Sequence, residues 1–144
     1  MGIMRLGAIV LVIVSMLAAS EAATSILVGG SQHWKFGFNY SDWALKTAPF
    51  YENDKLVFMY DPPNSTTHAH SVYLLKSLRA FLACDFKKAQ MVGNVTDGGG
   101  QGFEFVLKKR KPHYFACAER GGLHCTLGLM KFIVTPVKPC TCRG

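Results

Sequence analysis

The sequence predicts an all-β sandwich with one or two short helices. Three observations carry this reading. Short apolar runs rich in Val, Ile, Phe and Tyr recur along the chain, Gly- and Pro-bearing turns separate them, and only one stretch has helical spacing. The chain has 144 residues, enough for a single domain with its own core.

The first segment stands outside that domain. Met1 to Ala22 carries a basic Arg5, an apolar run from Leu6 to Ala19 and a small-residue end, Ser20-Glu21-Ala22. This is the layout of a secretory signal peptide, with cleavage expected near Ala22 or Ala23. The expected organisation is therefore a leader over 1–22, a domain over 23–137 and a short Cys-containing tail over 138–144.

Ser25 to Val28 reads as a short strand stopped by Gly29-Gly30. Tyr40 to Lys46 reads as a helical turn capped by Ser41 or Asp42, with Trp34 and Trp43 as packing residues on either side. Leu56 to Tyr60 is the clearest strand, ended by Asp61-Pro62-Pro63. Its nearly unbroken apolar run predicts a strand buried on both faces in the middle of a sandwich. A polar loop, Asn64 to Ala69, leads into a strand over His70 to Leu75. Ser77 to Gln90 is the helical stretch, with Leu78, Phe81, Leu82 and Phe86 near helical spacing as core contacts. After the turn Asp97 to Gly102, too irregular for a phosphate-binding fingerprint, Gly102 to Lys108 and His113 to Cys117 are expected to pair as a hairpin across Lys109 to Pro112. Lys131 to Thr135 is the last strand, and Pro136 and Pro139 end regular structure.

The chemistry concentrates between Cys117 and Met130. An aromatic-flanked strand delivers Cys117, a glycine-bearing turn brings His124, and a second turn at Gly128 brings Leu129 and Met130. A thiolate, an imidazole and a thioether thus fall within one short stretch. Soft sulfur with nitrogen ligands favours copper, whereas tetrahedral zinc sites commonly collect two or more thiolates. One more histidine is needed; His70, at a strand start, and His68, in the loop before it, both stand upstream. The five cysteines are an odd count, which suggests one thiol with a separate task.

Val28-Gly-Gly-Ser31, Trp34, Tyr40 to Ala44, Asp54 to Tyr60, His70-Ser-Val72, Cys84, Tyr114 to Cys117 and His124-Cys125 fall in the order of the plant phytocyanins. Over roughly residues 24 to 137 the chain resembles that family of small secreted blue-copper proteins, which includes plantacyanins, stellacyanins and early-nodulin-like proteins. The resemblance implies a cupredoxin-like Greek-key sandwich and one type 1 copper held by His70, Cys117 and His124. It implies one-electron transfer without substrate turnover, His124 as the ligand near the surface, and a disulfide between Cys84 and Cys125. Cys140 and Cys142 are left to pair with each other, between chains, or not at all.

The pattern departs from the family at the ligand loop. Phytocyanins put four residues between the ligand cysteine and the second histidine, and four more before the axial ligand. Here six residues separate Cys117 from His124, and the family count past His124 lands on Leu129, which cannot coordinate. Met130, one residue later, is the expected axial ligand, because Met130-Lys131-Phe132 continues as the family does. The lengthened loop keeps open a metal-free recognition domain of the early-nodulin-like kind, and the same three ligands admit a zinc site.

Lys plus Arg number 16 against 9 Asp plus Glu. Such a field attracts polyanions, and basic residues cluster at Lys87-Lys88 and Lys108 to Lys111. With a secretory leader, an acidic redox partner or an acidic wall polysaccharide is expected rather than nucleic acid; a solvated basic turn is the plain alternative. Asn39, Asn64 and Asn94 each begin a glycosylation sequon in a predicted turn, and a glycan on Asn64 would stand a few residues from His70. No Ser/His/Asp set, paired carboxylates or second metal cluster supports an enzyme. The tail has no hydrophobic stretch for a lipid anchor, so an apoplastic or wall-associated protein without an integral membrane segment is expected.

Overall fold

The computed structural model describes residues 23–139; the leader 1–22 and Cys140 and Cys142 of the tail lie outside the described residues. Among the described residues seven strands form two sheets. One holds β1 (Ser25–Leu27), β2 (Lys55–Phe58) and β5 (Phe103–Val106) in the order β1-β2-β5. The other holds β3 (Val72–Leu75), β4 (Gln90–Gly93), β6 (His113–Ala116) and β7 (Lys131–Val134) in the order β4-β3-β6-β7. β1 runs parallel to β2, the other strand pairs are antiparallel, and an isolated parallel bridge joins Tyr51 and Val137.

The space between the sheets is filled by aromatic rings. Phe58 of β2, Phe115 of β6 and Phe132 of β7 are fully buried, and the Phe115 and Phe132 rings stack with centroids 5.1 Å apart. Trp34 meets Phe58 and Phe132 edge-on and donates its indole N–H to the Ser71 carbonyl at 3.1 Å. Buried Trp is retained where its N–H finds a partner, and this one ties the core to the residue beside His70. Asp54, also buried, accepts from the backbone N–H groups of Thr24 and Tyr51 and so fixes the entry to β1 and β2.

Four expectations are corrected. β2 is central in its sheet but buried on one face only: Leu56 and Phe58 are inside while Lys55 and Val57 are half-buried, as alternation in a two-layer sandwich requires. Gly102–Lys108 and His113–Cys117 do not make a hairpin. β5 pairs with β2 and β6 with β3 and β7, so the connection crosses between sheets and Phe105 meets Phe115 across the core at 5.1 Å. The helical stretch is shorter than expected: α2 spans Leu78–Ala83, Cys84 ends it in the left-handed region, and Gln90 begins β4. Of its apolar stripe only Phe81 is buried; Leu78 and Leu82 are exposed, and Phe86 packs on Tyr73. Finally α1 (Tyr40–Thr47) is capped by Asn39, whose side-chain oxygen accepts from the Asp42 N–H. Ser41 instead donates to the Lys131 carbonyl on β7, and Asp42 pairs with Lys46.

Candidate metal centre

His70 lies just before β3, Cys117 just after β6, and His124 on α3 (Leu123–Thr126), a four-residue helix in the loop between β6 and β7. Since β3 and β6 are hydrogen-bonded neighbours, with Tyr73 opposite Ala116, their ends bring His70 and Cys117 together. The extra residues of the loop are absorbed by a tight reversal. Arg120, Gly121 and Gly122 all have positive φ, and Gly122 starts α3. Glycine adopts that conformation without the steric cost other residues meet, so Gly121-Gly122 can turn the chain back onto the site. This helix was not legible in the sequence, where four residues carry no periodicity.

His124 is then held from three sides. The Met130 N–H donates to the His124 carbonyl and the Cys117 N–H to the Met130 carbonyl, both at 3.0 Å, which stitches the loop's two ends together. The Cys84–Cys125 disulfide ties the adjoining residue to the end of α2. Phe36 lays its ring edge-on against the His124 imidazole, with centroids 5.3 Å apart. Gly128 packs under Phe36 so closely that a Cβ there would fall 2.5 Å from the ring.

His70 Nδ1 stands 3.2 Å from His124 Nδ1, and Cys117 Sγ stands 3.5 Å from that nitrogen. One ligand atom from each of the three residues lies within 4.8 Å of the others. These separations suit an ion bonded at about 2.0 Å to nitrogen and about 2.3 Å to sulfur. The Ser71 N–H points at Cys117 Sγ from 3.4 Å, a donor that steadies a thiolate. Among the described residues this is the one cluster of three or more such side chains able to hold a metal ion. His68 is exposed and outside it.

Burial sets the protonation of the set. It pulls His70 down to about 4, the nearby His124 and His68 adding to the effect. It also holds His124 below the ordinary imidazole range, with Glu119 opposing and Arg120 and His68 assisting. Both rings are therefore neutral near pH 7, with lone pairs free to coordinate. Burial pushes the Cys117 thiol up, against hydrogen bonds from Ser71 and Glu119, so its proton leaves only when a cation takes its place.

The axial candidates separate by burial. Met130 is fully buried in the same core cluster as Cys117, whereas Leu129 is 43 % exposed on a left-handed backbone. His124, expected near the surface, is itself only 2 % exposed and lies one ring below it, with the 46 % exposed Phe36 over its imidazole. Neither Phe36 nor the Ser71 N–H carried a signal in sequence, since Phe36 is one of the alternating aromatics Trp34, Phe36 and Phe38 with nothing to single it out, and the other is backbone. Asp85 and Glu104 take no part in the site; Asp85 accepts from the Lys87 N–H and Glu104 pairs with Lys55.

No family model matches the chain. It is 28 % identical over 115 residues to "Blue copper protein 1b" of Medicago truncatula, a match covering 79 % of this chain and 62 % of that protein. The chain thus spans less than two thirds of that relative's length. Among solved structures, cucumber basic protein, a blue copper protein, aligns with a TM-score of 0.60 at 27 % identity, covering 79 % of this chain and all of that one. Cucumber stellacyanin (TM-score 0.63, 24 % identity, 83 % of this chain) and spinach plantacyanin (0.52, 23 %, 81 %) share the fold, each matched over its whole length. In fold this chain is a cupredoxin-like sandwich, and in sequence and structure it is similar to the phytocyanins.

Proposed function

We propose that the chain is a secreted type 1 copper protein that passes single electrons and turns over no substrate. The observation that carries this is the buried His70, Cys117 and His124 set, with ligand atoms within 4.8 Å of one another and Met130 in the same buried cluster. Two imidazoles and one thiolate with a weak thioether donor form the set that suits copper in either oxidation state, and one-electron exchange is what copper supplies there.

The chain's own residues do the rest. His70 and His124 are neutral at working pH, and Cys117 gives up its thiol proton on metal binding. The Ser71 N–H holds the sulfur, and the two backbone bonds through Met130 fix the loop. A rigid, dry site lets the electron pass with little rearrangement. Phe36, 46 % exposed and in contact with His124, forms the surface across which a partner approaches.

The remaining parts of the reading follow from sequence. Residues 1–22 act as the leader, 23–137 as the copper domain and 138–144 as a tail, which puts the protein in the apoplast or wall. Glycans on Asn39, Asn64 and Asn94 fit the exposure of all three; at each, Oδ1 accepts a hydrogen bond and leaves the amide nitrogen for the sugar. The basic surface favours an acidic redox partner or an acidic wall polysaccharide. Replacing Cys117 by Ser tests the ligand assignment. The intense blue thiolate-to-copper colour should vanish while the circular dichroism of the sandwich is kept; colour that survives in Cys117→Ser removes Cys117 from the site.

A further inference from the structure

Two basic clusters that lie apart in sequence meet on one face. Lys76, Arg79, Lys87 and Lys88, with Ser77 and Asp85, line a cavity of about 400 Å³ at α2. A second cavity, of about 140 Å³, is lined by Lys76, Gln90, Lys111, Pro112 and Tyr114 among others. Lys76 borders both and makes them neighbours. Lys76, Arg79, Lys87, Lys88 and Lys111 are all exposed, and the one carboxylate among the lining residues is Asp85.

None of these five cations is neutralised. Among the described residues the ion pairs are Lys46–Asp42, Lys55–Glu104 and Arg110–Glu52. The run from Lys108 to Lys111 is therefore divided, Arg110 reaching Glu52 while Lys111 joins the second cavity. Unpaired cations around a concave surface concentrate field lines and attract a polyanion.

We propose that the two cavities form one groove that binds an acidic polysaccharide through its carboxylates. The cations stand around depressions, which a single polymer chain can enter and a flat bilayer cannot follow. Tyr114, half-buried, is the one ring in the two linings apart from the buried His113, so the groove offers no exposed platform on which nucleic-acid bases could stack. The choice of polysaccharide rests on the secreted, wall-associated reading above, with which the Cys84–Cys125 disulfide agrees, since disulfides persist in oxidising compartments. Asp85 and Gln90 supply the acceptor and amide that sugar hydroxyls need. The groove uses no residue of the metal set, so this reading stands or falls independently of copper.

The test is isothermal titration of the secreted chain, with and without copper, using oligogalacturonate, its fully methyl-esterified form, single-stranded DNA of matched charge, and phosphatidylserine vesicles. Saturable binding of oligogalacturonate is expected, with the neutral ester, the DNA and the vesicles at least about tenfold weaker. The double variant Lys76→Gln/Lys111→Gln should bind at least tenfold more weakly, and its log–log salt slope should fall by about two, roughly one per lysine removed. The charge-matched double variant Lys46→Gln/Lys138→Gln, at exposed positions outside both cavities, should bind as the parent does. Equal weakening by that pair would reduce the effect to net charge and overturn the groove. Tighter binding of DNA or vesicles, or none of oligogalacturonate, would overturn the ligand class.

Discussion

Cys117 is held where a thiol is inert and a thiolate needs a cation, and the neighbouring positions show how finely such a site depends on single residues. Met130 and Leu129 are adjacent, yet one is fully buried beside Cys117 and the other is 43 % exposed. Met130→Gln should lower the reduction potential by exchanging a weak thioether for a stronger oxygen donor, and Leu129→Gln should change it much less. Voltammetry on the two variants decides; the reverse order would put Leu129 over the metal. His113 poses a separate question, because its Nδ1 is buried without a hydrogen-bond partner among the core rings. Burial pushes its pKa below the ordinary range; the backbone of Lys111 and Val134 opposes this, and the charges of Lys111 and Lys109 push the same way as burial. The unfolded chain binds a proton near pH 6.5 while the folded chain does not, so stability falls as pH drops below that value. The slope for one proton is at most about 1.4 kcal/mol per pH unit. In the metal-free protein His113→Phe should remove one proton's share of this acid loss and leave the share due to His70 and His124, measured by urea unfolding between pH 7 and pH 5; an unchanged pH dependence would clear His113 of the role. Composition signals that a histidine exists but not that it faces a core, so this residue was not legible before the fold.

At the scale of elements, strand positions were readable because apolar alternation is local, and sheet membership was not. β5 and β6 each present an inward aromatic face, and that pattern is identical whether the strands pair side by side or oppose each other across the core. Phe105 and Phe115 take the second arrangement. The ligand loop was half legible: its donors stand out by residue type, but the left-handed run Arg120 to Gly122 and the helix carrying His124 are too short to leave a pattern. Two predictions belong here. Removing the disulfide by Cys84→Ser/Cys125→Ser opens a loop with a sequence separation of 41 and should cost about 4 kcal/mol by chain entropy, read from denaturant midpoints. A loss under about 1 kcal/mol would mean that the loop is already held by its backbone bonds. Gly128→Ala should cost on the order of 1–3 kcal/mol, since its Cβ would fall 2.5 Å from Phe36 and 2.6 Å from the His124 carbonyl. It should also weaken metal binding, and unaltered affinity would show that Phe36 does not position His124.

For the whole molecule, the sandwich serves to bring the ends of β3 and β6 and the β6–β7 loop to one point, and the resemblance in sequence reached that arrangement before any contact was known. Folding and metal binding are then linked. A ligand that binds only the folded state at a hundred times its dissociation constant adds about 2.7 kcal/mol, which for a domain of this size raises the melting temperature by on the order of 10 °C. The rise should be absent in Cys117→Ser, and an equal rise there would place the metal elsewhere. Optical redox titration of the copper-loaded domain probes whether a single buried centre exchanges one electron. An intense blue band should saturate at one copper per chain, bleach on reduction and return on oxidation with a one-electron Nernst slope. A colourless complex, or copper that binds without reversible bleaching, would contradict one-electron exchange at this centre.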